Sequence, residues 1–151
     1  MLHRDIKPSN IIISRHGVPK LVDFGIAAQL DAHAGTHWPA DGTVLGTINW
    51  MSPEQLQAHP LDERSDLFSF GLVMAAMVLC RSPLRKKYMY GLLAAGKPIP
   101  DCLISIEDET LLDEHVAGLG TIVADLLSRD PAHRPRNARE LRKRIQALRP
   151  N

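Results

Sequence analysis

Cysteine is nearly missing from this chain. Its two residues, Cys80 and Cys102, make neither a disulfide framework nor a zinc site. A reducing compartment is the default, and Cys80, inside an apolar run, reads as a small core residue. Long hydrophobic runs are missing as well. The most apolar stretch, Leu67 to Cys80, has 14 residues. That is too short to span a bilayer and fits a buried helix. No charged-then-apolar leader pattern opens the chain, so it reads as cytoplasmic. Net charge is +1, and nothing global argues for nucleic acid or an anionic membrane. Charge is not evenly spread: from Arg129 to Arg149 eight Arg and Lys face Asp130 and Glu140. That run reads as a solvated helix face, with a surface for phosphate or acidic partners as the alternative. There is no internal repeat and no low-complexity segment. What remains is 151 residues with 44% hydrophobic and 23% charged side chains, an ordinary globular domain with a core.

Two β-branched runs, Ile11–Ile13 and Lys20–Val22, flank "SRHGVP", in which Gly17 can take a positive φ and Pro19 punctuates. This predicts a small hairpin. From Gly25 to Pro53 regular patterning stops, and a stretch that long inside a compact domain is normally functional or disordered. A central helix is predicted over about 62–80, apolar nearly all round after Asp66 and ended by Pro83. A weak short helix follows in "YMYGLLAAGKPIP", closed by Gly96 and Pro98. Apolar spacing near 3.6 predicts another helix from Leu112 to Ser128. The last one opens at Asn137 as N-cap, with Glu140 three residues on, and runs to about Leu148.

Chemistry concentrates in "HRDIKPSN", His3 to Asn10, and "DFG", Asp23 to Gly25. Phosphoryl transfer needs hard oxygen ligands for a phosphate-bound metal, a carboxylate to orient the attacking hydroxyl, and a cation beside the moving group. Asp5, Lys7, Asn10 and Asp23 supply that set. A hairpin between Asn10 and Asp23 can fold the two metal ligands onto one site. His33 and His37, four apart, have Gly35 between them and no evident third ligand, which argues against a metal site.

These motifs resemble the eukaryotic-type serine/threonine protein kinases, in wording closest to the bacterial members, and the match runs over essentially the whole chain. The resemblance implies an α+β, mainly α fold: a C-terminal lobe (1–151) with a small β-hairpin, a long activation segment (23–54) and about four or five helices. It implies that Asp5 is the catalytic base, that Lys7 meets the γ-phosphate, and that Asn10 and Asp23 hold Mg²⁺. Ile12, Val73 and Met77 match the floor under the adenine and its supporting column. "GTINWMSPE" resembles the family's G-T-x-x-Y-x-A-P-E. Thr47 would bond the catalytic loop and help select a Ser/Thr hydroxyl, and Glu54 would pair with Arg134. Asp66 would accept hydrogen bonds from the catalytic-loop backbone. His3 is a packed structural residue of the motif, with Phe24 and Gly25 completing the second one. Arg4 would pair with a phosphorylated Thr43 or, less favoured, Thr36. Trp50, Ser52 and Phe68 depart from the family's Tyr, Ala and Trp while keeping bulk or smallness.

No G-x-G-x-x-G and no V-A-I-K-type lysine occurs. By resemblance these cover and clamp the phosphates. The expectation is therefore a lobe without its N-terminal partner lobe, with weak or absent ATP and Mg²⁺ binding by the chain alone. Met1 is expected to be either internal to a longer kinase or the start of a short product. Without a helix before His3, apolar surface should lie open beside Ile11–Ile13 and the central helix. Two functions follow. One is ATP-dependent phosphorylation of a protein substrate on Ser or Thr. The other is an inactive lobe that binds a protein, such as a complementary N-lobe or a dimer partner, or a remnant with no function.

Overall fold

In the computed structural model, residues 2–24, 48–83, 91–92 and 96–150 are described. The reading of Thr36, Thr43, Thr47, Gly25, His33 and His37 lies outside them. Architecture among the described residues is mainly helical, with one small antiparallel hairpin and five bounded helices.

The hairpin pairs β1 (Ile11–Ile13) with β2 (Pro19–Leu21), Ile11 opposite Leu21. The second strand thus begins at Pro19, one residue earlier than the sequence suggests. Pro19 has no N–H to give, and it sits opposite Ile13 at the turn end, where a missing ladder donor costs least. Gly17, at φ 73, makes the turn, and the Ser14 N–H donates to the Val18 carbonyl at 2.9 Å. Past the strands, the Val22 N–H donates to the Asn10 carbonyl at 2.9 Å. That last bond fixes the two chemistry-bearing segments side by side.

Helix α1 (Pro53–Leu56) is one turn long. Helix α2 (Glu63–Leu79) is the centre of the molecule. Asp62 caps it, accepting from the Arg64 N–H at 2.9 Å. Its middle, from Ser65 through Ala75, is mostly buried. Each Leu or Phe placed there contributes about 1.5–3 kcal/mol. The helix ends before Pro83, because Cys80 takes a left-handed φ of 51. Cys80 is exposed, so its apolar neighbourhood in sequence does not make it a core residue. The last turn of α2 is only partly covered: Val78 and Leu79 still pack against the core, while Met77 is 66% exposed.

The segment read as one helix over 112–128 is two. Helix α3 (Ile106–His115) starts earlier, capped by the Ser105 hydroxyl with Glu107, Asp108 and Glu109 in its first turn. Those acids suit the positive helix end. Helix α4 (Leu119–Leu126) follows a break at Val116–Ala117 and Gly118, whose φ is 84. Val116–Ala117 pairs antiparallel with Arg149–Pro150. Apolar residues keep a helical spacing through the break, which hides it. Helix α5 (Ala138–Gln146) closes the chain, with the Asn137 side chain accepting from the Glu140 N–H at 2.9 Å. The Glu140 carboxylate returns to the Arg136 N–H rather than to Asn137 itself.

Leu67, Phe68, Leu72 and Ala75 of α2 pack with Leu112 of α3, Ile122, Val123 and Leu126 of α4, and Leu141 of α5. Gly71 lets α2 and α4 touch, since a Cβ there would lie 2.7 Å from Leu126 Cβ. No helix among the described residues is long and apolar enough to cross a membrane.

Candidate active site

The loop from His3 to Asn10 is held to α2 by one carboxylate. Asp66 accepts from the His3 N–H at 2.7 Å through Oδ2 and from the Arg4 N–H at 2.8 Å through Oδ1. Arg4 has a φ of 65, left-handed and unfavourable for a residue with a side chain, so these bonds restrain a strained backbone. The His3 ring ties the loop to the second motif. Its Nδ1 accepts from the Asp5 N–H at 3.3 Å, which puts the proton on Nε2, and Nε2 donates to the Val22 carbonyl at 2.9 Å. Phe24 lays its ring against His3, centroids 4.6 Å apart.

Inside this frame Asp5 is 3% exposed. Its Oδ2 receives Lys7 Nζ at 2.8 Å and Asn10 Nδ2 at 2.9 Å. Asn10 Nδ2 also donates to the Asp5 carbonyl at 2.8 Å. Pro8 opens a short 3₁₀ turn that carries Asn10 back under Asp5. The other carboxylate oxygen, Oδ1, is buried and has no protein donor among the described residues. A half-satisfied buried carboxylate is costly unless a hydrogen-bond donor from outside completes it. Asp5, Lys7 and Asn10 are therefore in direct contact. Asp23 follows one residue after the Val22–Asn10 bond, exposed and at φ 68. Ile12 is 54% exposed on β1, whereas Val73 is buried inside α2.

Behind the loop stands a buried ion pair. Arg134 donates to Glu54 through Nη1 at 2.6 Å and Nη2 at 3.0 Å. Its remaining N–H groups go to the carbonyls of Ser128, Arg64 and Arg129. All five guanidinium donors are used. The Phe68 ring lies 4.8 Å below Arg134 Cζ, so this departure from the family's Trp keeps an aromatic face under the cation. Burial alone would raise the Glu54 carboxyl. The Arg134 bonds and charge, with a bond from Ser65 Oγ at 2.7 Å, outweigh it and hold the group below its usual range.

One residue of this region went unremarked in the sequence. Gln55 completes a capping box with Ser52, its Oε1 accepting from the Ser52 N–H at 2.9 Å. Its Nε2 donates to the Arg4 carbonyl, also at 2.9 Å. The signal was available, because Ser-Pro-Glu-Gln spells a capping box. Ser52, noted only as a small replacement for Ala, is the fully buried N-cap of α1. A cleft of about 520 Å³ opens beside His3, lined chiefly by Ile6, Leu21, Leu67, Phe70, Leu141 and Ile145. This is apolar surface between the central helix and α5; Ile12 and Ile13, exposed on β1, do not line it.

A family model described as the protein kinase domain matches residues 1–144. The chain is 35% identical over 147 residues to the serine/threonine-protein kinase pkn2 of Myxococcus xanthus, covering 93% of this chain and 17% of that one. It is 33% identical over 148 residues to the serine/threonine-protein kinase PknB of Mycobacterium tuberculosis, covering 94% and 22%. With a probable serine/threonine-protein kinase PknB of Bifidobacterium longum it shares 49% identity over 83 residues, covering 55% and 12%. The chain thus spans a fifth or so, or less, of the length of these relatives. A buried Asp–Lys–Asn cluster, tethered to a central helix and backed by a Glu–Arg pair, agrees with that match: the chain belongs to the protein kinase family, in its bacterial serine/threonine type.

Proposed function

We propose that this chain carries the phosphoryl-transfer centre of a serine/threonine protein kinase, with Asp5 as the base. The observation that carries the reading is the Asp5 carboxylate: one oxygen held by Lys7 and Asn10, the other buried without a donor among the described residues. A Ser or Thr hydroxyl of a protein substrate is such a donor. Oδ1 would orient it and take its proton as the oxygen attacks, while Lys7 offsets the negative charge beside it. Asn10 and Asp23 carry the hard oxygens suited to Mg²⁺, and the Val22–Asn10 bond keeps their backbones adjacent. Bound Mg²⁺–ATP would supply the phosphoryl group. Ile12 on β1 is the candidate adenine contact. His3, Phe24 and Asp66 position the loop, and Gly25 completes the second motif. Thr47 is assigned hydroxyl selection, and Thr43, then Thr36, the role of phosphate acceptors that Arg4 would bind. ATP chemistry of this kind belongs in the cytoplasm.

The test is thermal unfolding against Mg²⁺–ATP in the millimolar range. A saturating rise is expected. At ten times the dissociation constant the stabilisation is about 1.4 kcal/mol. For a chain this size that is about 3–6 °C. Asp23→Ala should abolish it. No rise, or a rise that Asp23→Ala leaves intact, refutes the reading.

A second reading, a protein-binding module, is favoured by the apolar cleft beside His3. It separates from the first on the same variant, since Asp23→Ala would leave a partner in that cleft undisturbed.

A further inference from the structure

We infer that Gln55 is a positioning residue for the catalytic loop. The left-handed Arg4 lies next to Asp5, so the plane of the Arg4–Asp5 peptide sets where the Asp5 side chain starts. On the N-terminal side of Arg4, its N–H is held by Asp66 Oδ1 at 2.8 Å. On the C-terminal side, its carbonyl is held by Gln55 Nε2 at 2.9 Å. Both polar backbone groups of a residue at φ 65 are thus clamped, from two different helices. Without the second clamp the Arg4–Asp5 peptide could rotate towards a relaxed geometry and carry Asp5 away from Lys7 and Asn10.

Gln55 is held in turn. Its Oε1 accepts from the Ser52 N–H, and its own N–H donates to Ser52 Oγ at 3.3 Å. The amide is the one side-chain group that can serve both ends, accepting with oxygen and donating with nitrogen. Glutamate is the more usual partner in a capping box and would satisfy Ser52 equally. It has no hydrogen to offer the Arg4 carbonyl. The glutamine is therefore explained by the loop and not by the helix cap.

Gln55→Glu separates the two roles, because it keeps the cap and removes the donor. Amide hydrogen exchange of the 151-residue chain, read by NMR, reports the His3 and Arg4 N–H groups against Leu72 and Val73, which follow global unfolding. In Gln55→Glu, His3 and Arg4 are expected to lose about tenfold in protection relative to Leu72 and Val73. Gln55→Met, uncharged and of similar length, should give the same local loss. Ser52→Ala removes a cap bond and keeps the donor, so all four amides should fall together, with no local difference. If His3 and Arg4 keep their protection relative to Leu72 and Val73 in both Gln55 variants, or lose the same tenfold relative to those two amides in Ser52→Ala, Gln55 has no positioning role. The catalytic meaning of the clamp rests on the proposed function, but this measurement uses no nucleotide. Loss of the Mg²⁺–ATP response with an intact exchange response would overturn that function alone.

Discussion

Replacing Arg134 by leucine should cost about 3–5 kcal/mol, the range for breaking one side of a buried ion pair. The structure says why the upper half of that range applies. Arg134 is 3% exposed and spends all five donors, two on Glu54 and three on the carbonyls of Ser128, Arg64 and Arg129. Leucine fills part of the space beside Phe68 and strands those acceptors. Only the Ser65 hydroxyl and the helix backbone remain for the Glu54 carboxylate. In urea, with a slope of about 2 kcal/mol per molar, the unfolding midpoint should fall by about 2 M. The pH dependence supplies a second axis. In the native chain Glu54 titrates below its ordinary 4.5, so its stabilisation is complete above 4.5 and is lost as pH falls through the lower folded value. In Arg134→Leu the lowering cause is gone and burial dominates, which raises the carboxyl. Protonation then relieves a buried charge, and the variant recovers as pH falls through that raised value. The gap between the two proteins should therefore narrow from pH 7 towards pH 4. The double change Glu54→Leu with Arg134→Leu, which leaves no buried charge, should be less harmful than Arg134→Leu alone. A loss under about 1 kcal/mol, or a gap that is flat with pH, refutes the reasoning.

Gly71→Ala should destabilise by about 1–3 kcal/mol despite the better helix propensity of alanine, because the new Cβ meets Leu126 Cβ at 2.7 Å and neither backbone can yield; urea denaturation reads it. Asn137→Ala removes the cap of α5 and should cost about 1 kcal/mol, visible in the same assay, with exchange quickening first at Glu140. Asp66→Ala strands the His3 and Arg4 N–H groups. It should abolish the Mg²⁺–ATP response, and exchange at those two amides should rise well beyond its effect on the α2 core. Asp5→Asn keeps an acceptor for Lys7 but cannot take a proton. Nucleotide stabilisation should persist while phosphoryl transfer to a Ser/Thr substrate, followed with labelled ATP, falls at least about 10²-fold.

Local signals in the sequence carried the elements whose causes are local. The Asn137 cap, the Gly17 turn and the apolar block of α2 depend on residues a few positions apart, and each is where the pattern puts it. The break at Gly118 was hidden because Leu112, Val116, Leu119 and Val123 keep one helical stripe across it. The glycine needed for the left-handed φ had no weight in that periodicity. Cys80 went wrong for a related reason. An apolar run shows that a helix is buried somewhere along its length, not where it leaves the core.

The site divides along the same line. Asp5, Lys7 and Asn10 meet within six consecutive residues, so their contact is local. Asp66 reaches His3 and Arg4 across more than sixty positions, and Arg134 reaches Glu54 across eighty. Nothing in composition or period pairs residues so distant; only the resemblance to a family did. Where the resemblance fixed no role, at Gln55, a contact across 51 positions passed unseen although its local half was spelled out in Ser-Pro-Glu-Gln. The three long tethers share one target. Asp66 and Gln55 hold the two sides of Arg4, and the Glu54–Arg134 pair anchors the helix that carries Gln55. A short loop cannot keep a buried, half-satisfied carboxylate and a left-handed arginine by itself, since each raises its energy by kilocalories. The strain is borne by partners distant in sequence, so the loop's geometry depends on α1, α2 and the Arg134 turn all being docked at once.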